Sequence, residues 1–305
     1  MSPKRVLVTG ASGMIGSALA PALAAAGCAV LRLDRRPRPG GTPGAQLKWD
    51  PAAGVIAREP LEGLDAAVHL AGASLAGGRW TPARRALLVE SRVGSLRLLA
   101  RTLGALERPP RVLVSASAVG IYGDRGDELL SEASGPGTGF LAELAQAWEQ
   151  AAEPAARRGI RVVAMRFGLV LAPRGGVLAL LLPLFRLGLG GHAGTGRQWL
   201  SWIALDDLIA ALRHALADES LGGPVNAVAP GAVTNRELAR VLARVLGRPA
   251  WFAAPAWALR LALGRMADEL LLASQRVEPV RLLASGFSFR FPALEPALRH
   301  VLAAA

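Results

Sequence analysis

Three glycines set three apart, Gly10, Gly13 and Gly16, stand between an apolar β-type run, Arg5-Val-Leu-Val-Thr9, and an alanine-rich helical stretch, Ser17 to Ala26. A strand that enters a tight turn and then a helix N-terminus offers backbone N–H groups and the positive end of the helix dipole to a pyrophosphate. In that arrangement Gly10 permits the turn, Gly13 lets the backbone approach the phosphates and Gly16 lets the helix pack close to the strand. Ser12, Met14 and Ile15 fill the positions between and beside them. The spacing is GxxGxxG, not the commoner GxGxxG. A nucleotide-binding βα unit of this kind belongs to a parallel sheet covered by helices.

The chain keeps that rhythm. Ala29 to Leu33, Gln46 to Trp49, Asp65 to Gly72, Arg111 to Ser115 and Arg161 to Arg166 are expected strands, and Thr81 to Leu103 and Phe140 to Arg157 expected helices. Thr81-Pro82 supplies an N-cap and a first-turn proline. Thr234 to Glu237 has capping-box spacing before a helix ending at Leu246. Pro37 to Gly44 is expected as loop. The predicted fold is α/β, a doubly wound parallel (Rossmann-like) sheet over residues 1–172, with a smaller, mostly helical C-terminal lobe over 173–305. Later strands near 198–205 and 224–228 are expected to complete the sheet.

Composition narrows the functional classes. The most apolar run, Gly175 to Phe185, is too short for a membrane span of about 20 residues, and no apolar leader precedes the first strand. Neither membrane insertion nor a signal peptide is expected. The single cysteine, Cys28, fits a reducing cytoplasm and a packing role. The net charge of +12 raises the question of nucleic acid. However, the cations are almost all arginines scattered along the chain, with lysine only at Lys4 and Lys48, and a single tyrosine is available to stack a base. Attraction of anionic nucleotides accounts better for the charge. No metal-ligand pattern stands out.

Asp34-Arg35-Arg36 ends the second strand, where such folds read the adenosine ribose. An acidic residue there suits the 2′-hydroxyl of NAD and an arginine the 2′-phosphate of NADP. Both signals are present, and the adjacent arginines favour NADP over NAD. Arg92 shares the inward face of its helix with Leu88 and Leu96, so it needs an anion, either a cofactor phosphate or a structural carboxylate. His69 lies inside an apolar strand and is expected as a hydrogen-bonded core residue. Ser115-Ala-Ser117 and Tyr122 leave the end of a central strand, at the nicotinamide position of a doubly wound sheet.

Nearly the whole chain resembles the extended and atypical short-chain dehydrogenase/reductase superfamily. It is most similar to the epimerase-like branch with a small C-terminal domain of unknown function (here about 249–300), whose members are often labelled nucleoside-diphosphate-sugar epimerase or cell-division inhibitor. The resemblance rests on Val8-Thr-Gly-Ala-Ser-Gly-Met-Ile-Gly16, His69-Leu-Ala-Gly72, Gly77-Gly-Arg-Trp-Thr81, Glu90-Ser-Arg-Val93, Ser115 to Gly123, Phe185 to Gly191, Gly196-Arg-Gln-Trp199 and Gly286-Phe-Ser-Phe289. It implies NADP held by Gly10 to Gly16, Arg35 and Arg36 on the 2′-phosphate, and Asp50 at the adenine amine. Leu70, Ala71, Gly72, Arg92 and Ser115 would line the cofactor. Active members of the superfamily use a Tyr-x-x-x-Lys pair on the helix after the fifth strand. Here Phe140 and Leu144 take those positions, leaving Ser117 and Tyr122 as candidate catalytic groups and Arg197, Trp199 and Trp202 as candidate substrate contacts. The expectation is an NADP-dependent oxidoreductase or epimerase-like protein acting on a small carbonyl, hydroxyl or nucleotide-sugar-like compound. The rival is a non-catalytic NADP(H) sensor or partner-binding protein. The substrate and the oligomeric state are not readable from the residues.

Overall fold

A computed structural model describes residues 3–36 and 46–303; the expected loop Pro37 to Gly44 lies outside the described residues. Eight strands form the main sheet: β1 (Arg5–Thr9), β2 (Ala29–Asp34), β3 (Gln46–Asp50), β4 (Val55–Ile56), β5 (Ala66–His69), β6 (Val112–Ala118), β7 (Arg161–Phe167) and β8 (Gly223–Ala227). Their order is β8-β7-β6-β5-β1-β2-β3-β4, and only the β3–β4 pairing is antiparallel. From β1 the strands step outward both ways, so the topology reverses between β1 and β5. Ligands of open α/β sheets bind beyond the strand ends at such a reversal.

Alternation along β1 divides the core. Val6 and Val8 face one layer, with Leu19 and Leu23 of α1 (Met14–Ala25), while Leu7 faces the opposite layer. That opposite layer comprises α2 (Pro82–Val89), α3 (Ser95–Gly104), α4 (Phe140–Gln150) and α5 (Glu153–Ala156), packed through residues such as Leu88, Leu96, Leu99 and Trp148. Each large aliphatic side chain buried this way contributes about 1.5–3 kcal/mol. After β7 come α6 (Gly176–Arg186), α7 (Leu205–Ala217) and α8 (Asn235–Leu246), followed by α9 (Ala256–Leu263), α10 (Arg265–Ala267), α11 (Val280–Ala284) and α12 (Leu294–Ala303). α7 lies on the α1 side of the sheet, whereas α6, α8 and α12 close a separate core around Trp202 and Phe185.

Three features depart from the sequence reading. The helix expected over Thr81 to Leu103 is interrupted by a π-helical turn, Glu90–Gly94. The helix expected over Phe140 to Arg157 divides at Ala151 and Ala152, where Pro154 opens the short α5. Trp202–Ala204 does not join the main sheet; it pairs with Leu169–Leu171, and Trp199–Leu200 pairs with Val233–Thr234. Only Gly223–Ala227 extends the sheet, alongside β7. The expected caps are present: Thr81 accepts from the Arg84 N–H and Thr234 from the Glu237 N–H, each at 3.2 Å.

Candidate functional site

The loop between β1 and α1 is built for close approach. Gly10 has φ +67°, and a Cβ there would stand 2.7 Å from the Leu70 carbonyl group. A Cβ on Gly16 would overlap the Gly10 carbonyl oxygen. The Gly13 N–H donates to that same oxygen at 3.0 Å. Gly13 occupies the N-cap of α1 without a side-chain cap, and the first turn carries no acidic residue. Among the described residues no protein anion therefore caps the first N–H groups of α1, which is the condition for binding a phosphate.

Beside this loop lies a cleft of about 840 Å³. Ser12 and Ser17 line it from the α1 side, and Asp34, Arg35, Arg36 and Asp50 from the strand ends. Arg32 and Lys48 also line it. Sequence reasoning missed these two, although the strand period puts Arg32 on the face of Asp34, and Lys48 is the register partner of Asp34. Among the described residues none of these four cations makes an ion pair. Asp50 uses one carboxylate oxygen to accept the Ala52 and Ala53 N–H groups, at 3.1 and 3.2 Å.

The end of β5 is wired to its neighbours through His69. Ser95 donates to the Ser91 carbonyl at 2.7 Å, so the His69 Nε2–H donates to Ser95 Oγ at 3.2 Å. His69 Nδ1 then accepts from the Thr9 hydroxyl at 2.9 Å, and Thr9 Oγ1 accepts the Leu70 and Ala71 N–H groups. Burial pushes the imidazole down to about 3, so it is neutral. His69 is the hydrogen-bonded core residue its strand suggests, and it fixes the Leu70–Gly72 turn.

Arg92 sits in the π-turn, a device that re-aims side chains and recurs at functional sites. It is 8% exposed, donates to the Ala73 carbonyl at 2.8 Å and lies over the Trp148 ring at 5.3 Å. No carboxylate pairs with it among the described residues. Burial, with the nearby Arg84 charge, lowers its guanidinium to about 10. Of the two partners left open for Arg92, the structural carboxylate is missing.

The candidate catalytic hydroxyls occupy a buried network. Ser117, 1% exposed, donates to Glu149 at 2.7 Å, and Glu149 binds Arg166 through both oxygens at 2.8 and 2.9 Å. Arg166 also donates to the Tyr122 hydroxyl at 2.9 Å, which donates to Asn226 at 2.8 Å. Burial penalises charge on Arg166, but the hydrogen bonds and charge of Glu149, with the Tyr122 oxygen, outweigh it and hold the guanidinium ionised. Burial raises the Tyr122 phenol above its ordinary range. Tyr122 has no exposed surface, so in this geometry it cannot meet a substrate, and Ser117 meets Glu149 instead. Sequence reasoning missed Glu149, Arg166 and Asn226. By contrast, Ser115 Oγ is buried with no hydrogen-bond partner among the described residues. Phe140 and Leu144, where the resemblance puts the Tyr and Lys, are apolar contacts: Phe140 meets Trp80 edge-on at 5.2 Å and Leu144 is core.

The three substrate candidates separate. Trp202 is fully buried and donates to the Gly231 carbonyl at 2.7 Å, so it is a core residue of the C-terminal region, a correction to its reading as a substrate contact. Trp199 is half-buried, donates to Asp127 at 2.8 Å and carries Arg276 over its ring at 4.4 Å. Arg197 is exposed.

A family model described as NAD dependent epimerase/dehydratase family matches residues 6–228. The chain belongs to that family. A second model, a domain of unknown function (DUF1731), matches residues 254–301. Among the family's relatives, epimerase family protein Mb2239 of Mycobacterium bovis is 42% identical, over 97% of this chain and 96% of its own. Human epimerase family protein SDR39U1 is 36% identical over 98% and 100%. A crystal structure of human SDR39U1 (isoform 2) with NADPH superposes with TM-score 0.89 at 34% identity, covering 98% of this chain and 99% of that one. The Rossmann-like fold and the family's nucleotide-binding character are thereby established. Among the described residues no helix is long and apolar enough to cross a membrane.

Proposed function

We propose that this epimerase-family chain binds NADP(H) across the C-terminal ends of β2, β1, β5 and β6 and acts as an oxidoreductase on a small carbonyl or hydroxyl compound, including nucleotide-sugar-like ones. The observation that carries the reading is the fit of two features: a glycine cradle with no room for a Cβ at Gly10 or Gly16, and an adjoining cleft with four cations that make no ion pair among the described residues. The NADPH in the human SDR39U1 structure supports it.

In this reading the first N–H groups of α1 bind the pyrophosphate. Arg35 and Arg36 take the 2′-phosphate with help from Arg32 and Lys48, and Asp50 faces the adenine. Leu70, Ala71 and Gly72 form the floor, held by Thr9 and His69. Arg92 supplies a desolvated positive charge beside that turn, and Ser115 a free hydroxyl. The cofactor itself would supply hydride exchange at its nicotinamide ring. Ser117 and Tyr122 act as positioning groups: they lock Glu149 and Arg166, and through them the ends of β6 and β7.

The burial of both hydroxyls favours a second reading, a non-catalytic NADP(H)-binding protein. The two separate by experiment. Protein loaded with NADPH is mixed with a panel of carbonyl compounds and nucleotide sugars while the reduced-nicotinamide absorbance is followed. An oxidoreductase consumes NADPH with at least one of them. Stable absorbance across the panel with NADPH bound, together with no NADPH formed when NADP+-loaded protein meets the corresponding hydroxyl compounds, refutes catalysis and leaves the binding protein.

A further inference from the structure

The helix that leads into the π-turn carries Arg84 and Arg85, which make no ion pair among the described residues. Elsewhere the chain does supply carboxylates to its arginines, as at Arg125, Arg157 and Arg166. Arg84 donates an Nη2–H to the Ser74 carbonyl, and its Nε is buried with no partner among the described residues. The Nε of Arg85 is likewise buried and unpartnered, while its guanidinium lies over the Phe140 ring at 5.1 Å. Arg84, Leu88 and Arg92 are spaced four apart, so the two arginines flank one buried leucine. Arg92, 8% exposed, is the third cation here without a carboxylate. Several like charges with buried, unanswered N–H groups raise the free energy of the fold unless an anion completes them. Phe140, where the resemblance puts the superfamily's tyrosine, supplies an apolar surface under Arg85 and no acidic proton.

We propose that Arg84 and Arg85, with Arg92 at the inner edge and Phe140 as an apolar wall, bind an oxyanion (a carboxylate or a phosphate) carried on a small apolar or aromatic body. This deepens the proposed function, and rests on it in taking that oxyanion to be the charged end of the substrate. Planar guanidinium groups suit bidentate binding of either oxyanion.

The test is calorimetric titration of the NADPH-saturated protein with benzoate, phenyl phosphate and neutral benzamide. At least one of the two anions binds, benzamide does not, and the tighter anion identifies the head group. Arg84→Gln and Arg85→Gln each weaken that anion by roughly 10-fold or more, with NADPH affinity unchanged. Arg84→Lys and Arg85→Lys keep the charge but lose the planar fork, and weaken it several-fold; they decide the matter where a glutamine variant folds poorly. Binding of neither anion, equal binding of benzamide, or undiminished binding by the variants overturns the proposal. Failure of NADPH to saturate the wild type is a failure of the cofactor reading alone. The same titrations on the cofactor-free protein then decide the anion site by the same criteria.

Discussion

The Glu149–Arg166 pair gives the sharpest energetic prediction, because it joins the ends of β6 and β7 to α4 with little help from water. The side chains are 17% and 8% exposed and meet through two hydrogen bonds at 2.8 and 2.9 Å. Glu149→Gln keeps the shape and removes the charge, leaving Arg166 with the Tyr122 oxygen and one amide oxygen as acceptors. Each hydrogen bond to a charged group contributes about 1.5–3 kcal/mol, and removing one partner of a buried pair costs about 3–5 kcal/mol. Arg166→Met strands the carboxylate and belongs in the same range. The double variant Glu149→Leu with Arg166→Met removes both buried charges, so its loss falls short of the sum of the single Glu149→Leu and Arg166→Met losses by about 2 kcal/mol or more. Urea unfolding followed by tryptophan fluorescence measures all four variants, with Trp148 next to Glu149 in α4. Single-variant losses under about 1 kcal/mol, or additivity within about 0.5 kcal/mol, would refute the claim that the pair acts as a desolvated unit.

Other outcomes follow from single sites. His69 is neutral in the fold with a value of about 3, against 6.5 unfolded, so between those limits the unfolded chain binds the extra proton. Stability therefore rises with pH from about 3 to 6.5 and is lost as pH falls through that window, at up to roughly 1.4 kcal/mol per pH unit. Denaturant midpoints at several pH values should show this slope in the wild type and a shallower one in His69→Gln; equal slopes would contradict the assignment. Gly10 and Gly27 both have positive φ, but a Cβ at Gly27 meets nothing within 4 Å, whereas at Gly10 it meets the Leu70 backbone. Gly27→Ala is expected to cost only the left-handed penalty of about 1–2 kcal/mol. Gly10→Ala should cost more, and it should also abolish NADPH binding in a fluorescence titration. Thr234→Ala removes the cap of α8 and should cost about 1 kcal/mol by thermal unfolding, while a loss below a few tenths would mean the cap is idle.

Local patterns carried most of the fold and the glycine loop of the candidate site. The glycine loop, the strand–helix alternation and the caps at Thr81 and Thr234 depend on neighbours within a few residues, so they are visible in sequence. The π-turn is not: one extra residue in a turn leaves the apolar period of Thr81 to Leu103 almost intact. The divided helix after Phe140 did carry a sign, Pro154, which the amphipathic period concealed. Pairings that join distant segments were the least legible. Tyr122 meets Asn226 across 104 residues and Ser117 meets Glu149 across 32, so hydroxyls that looked available at a strand end prove to be occupied. Trp202 misled for the same reason, since an aromatic cluster in sequence does not say which ring is core. Lys48 became visible only when strand register put it opposite Asp34, whereas Arg32 lay two residues before Asp34 on the same strand face.

The central claim is that Arg35 and Arg36, in a cleft that also holds Arg32 and Lys48, make this an NADP site. Isothermal titration of the wild type with NADPH and with NADH, repeated on Arg35→Ala with Arg36→Ala, tests it directly. NADPH should bind roughly 10-fold or more tighter than NADH, with the difference erased in the double variant. Equal affinities in the wild type, or a preference for NADPH that survives loss of both arginines, would contradict it.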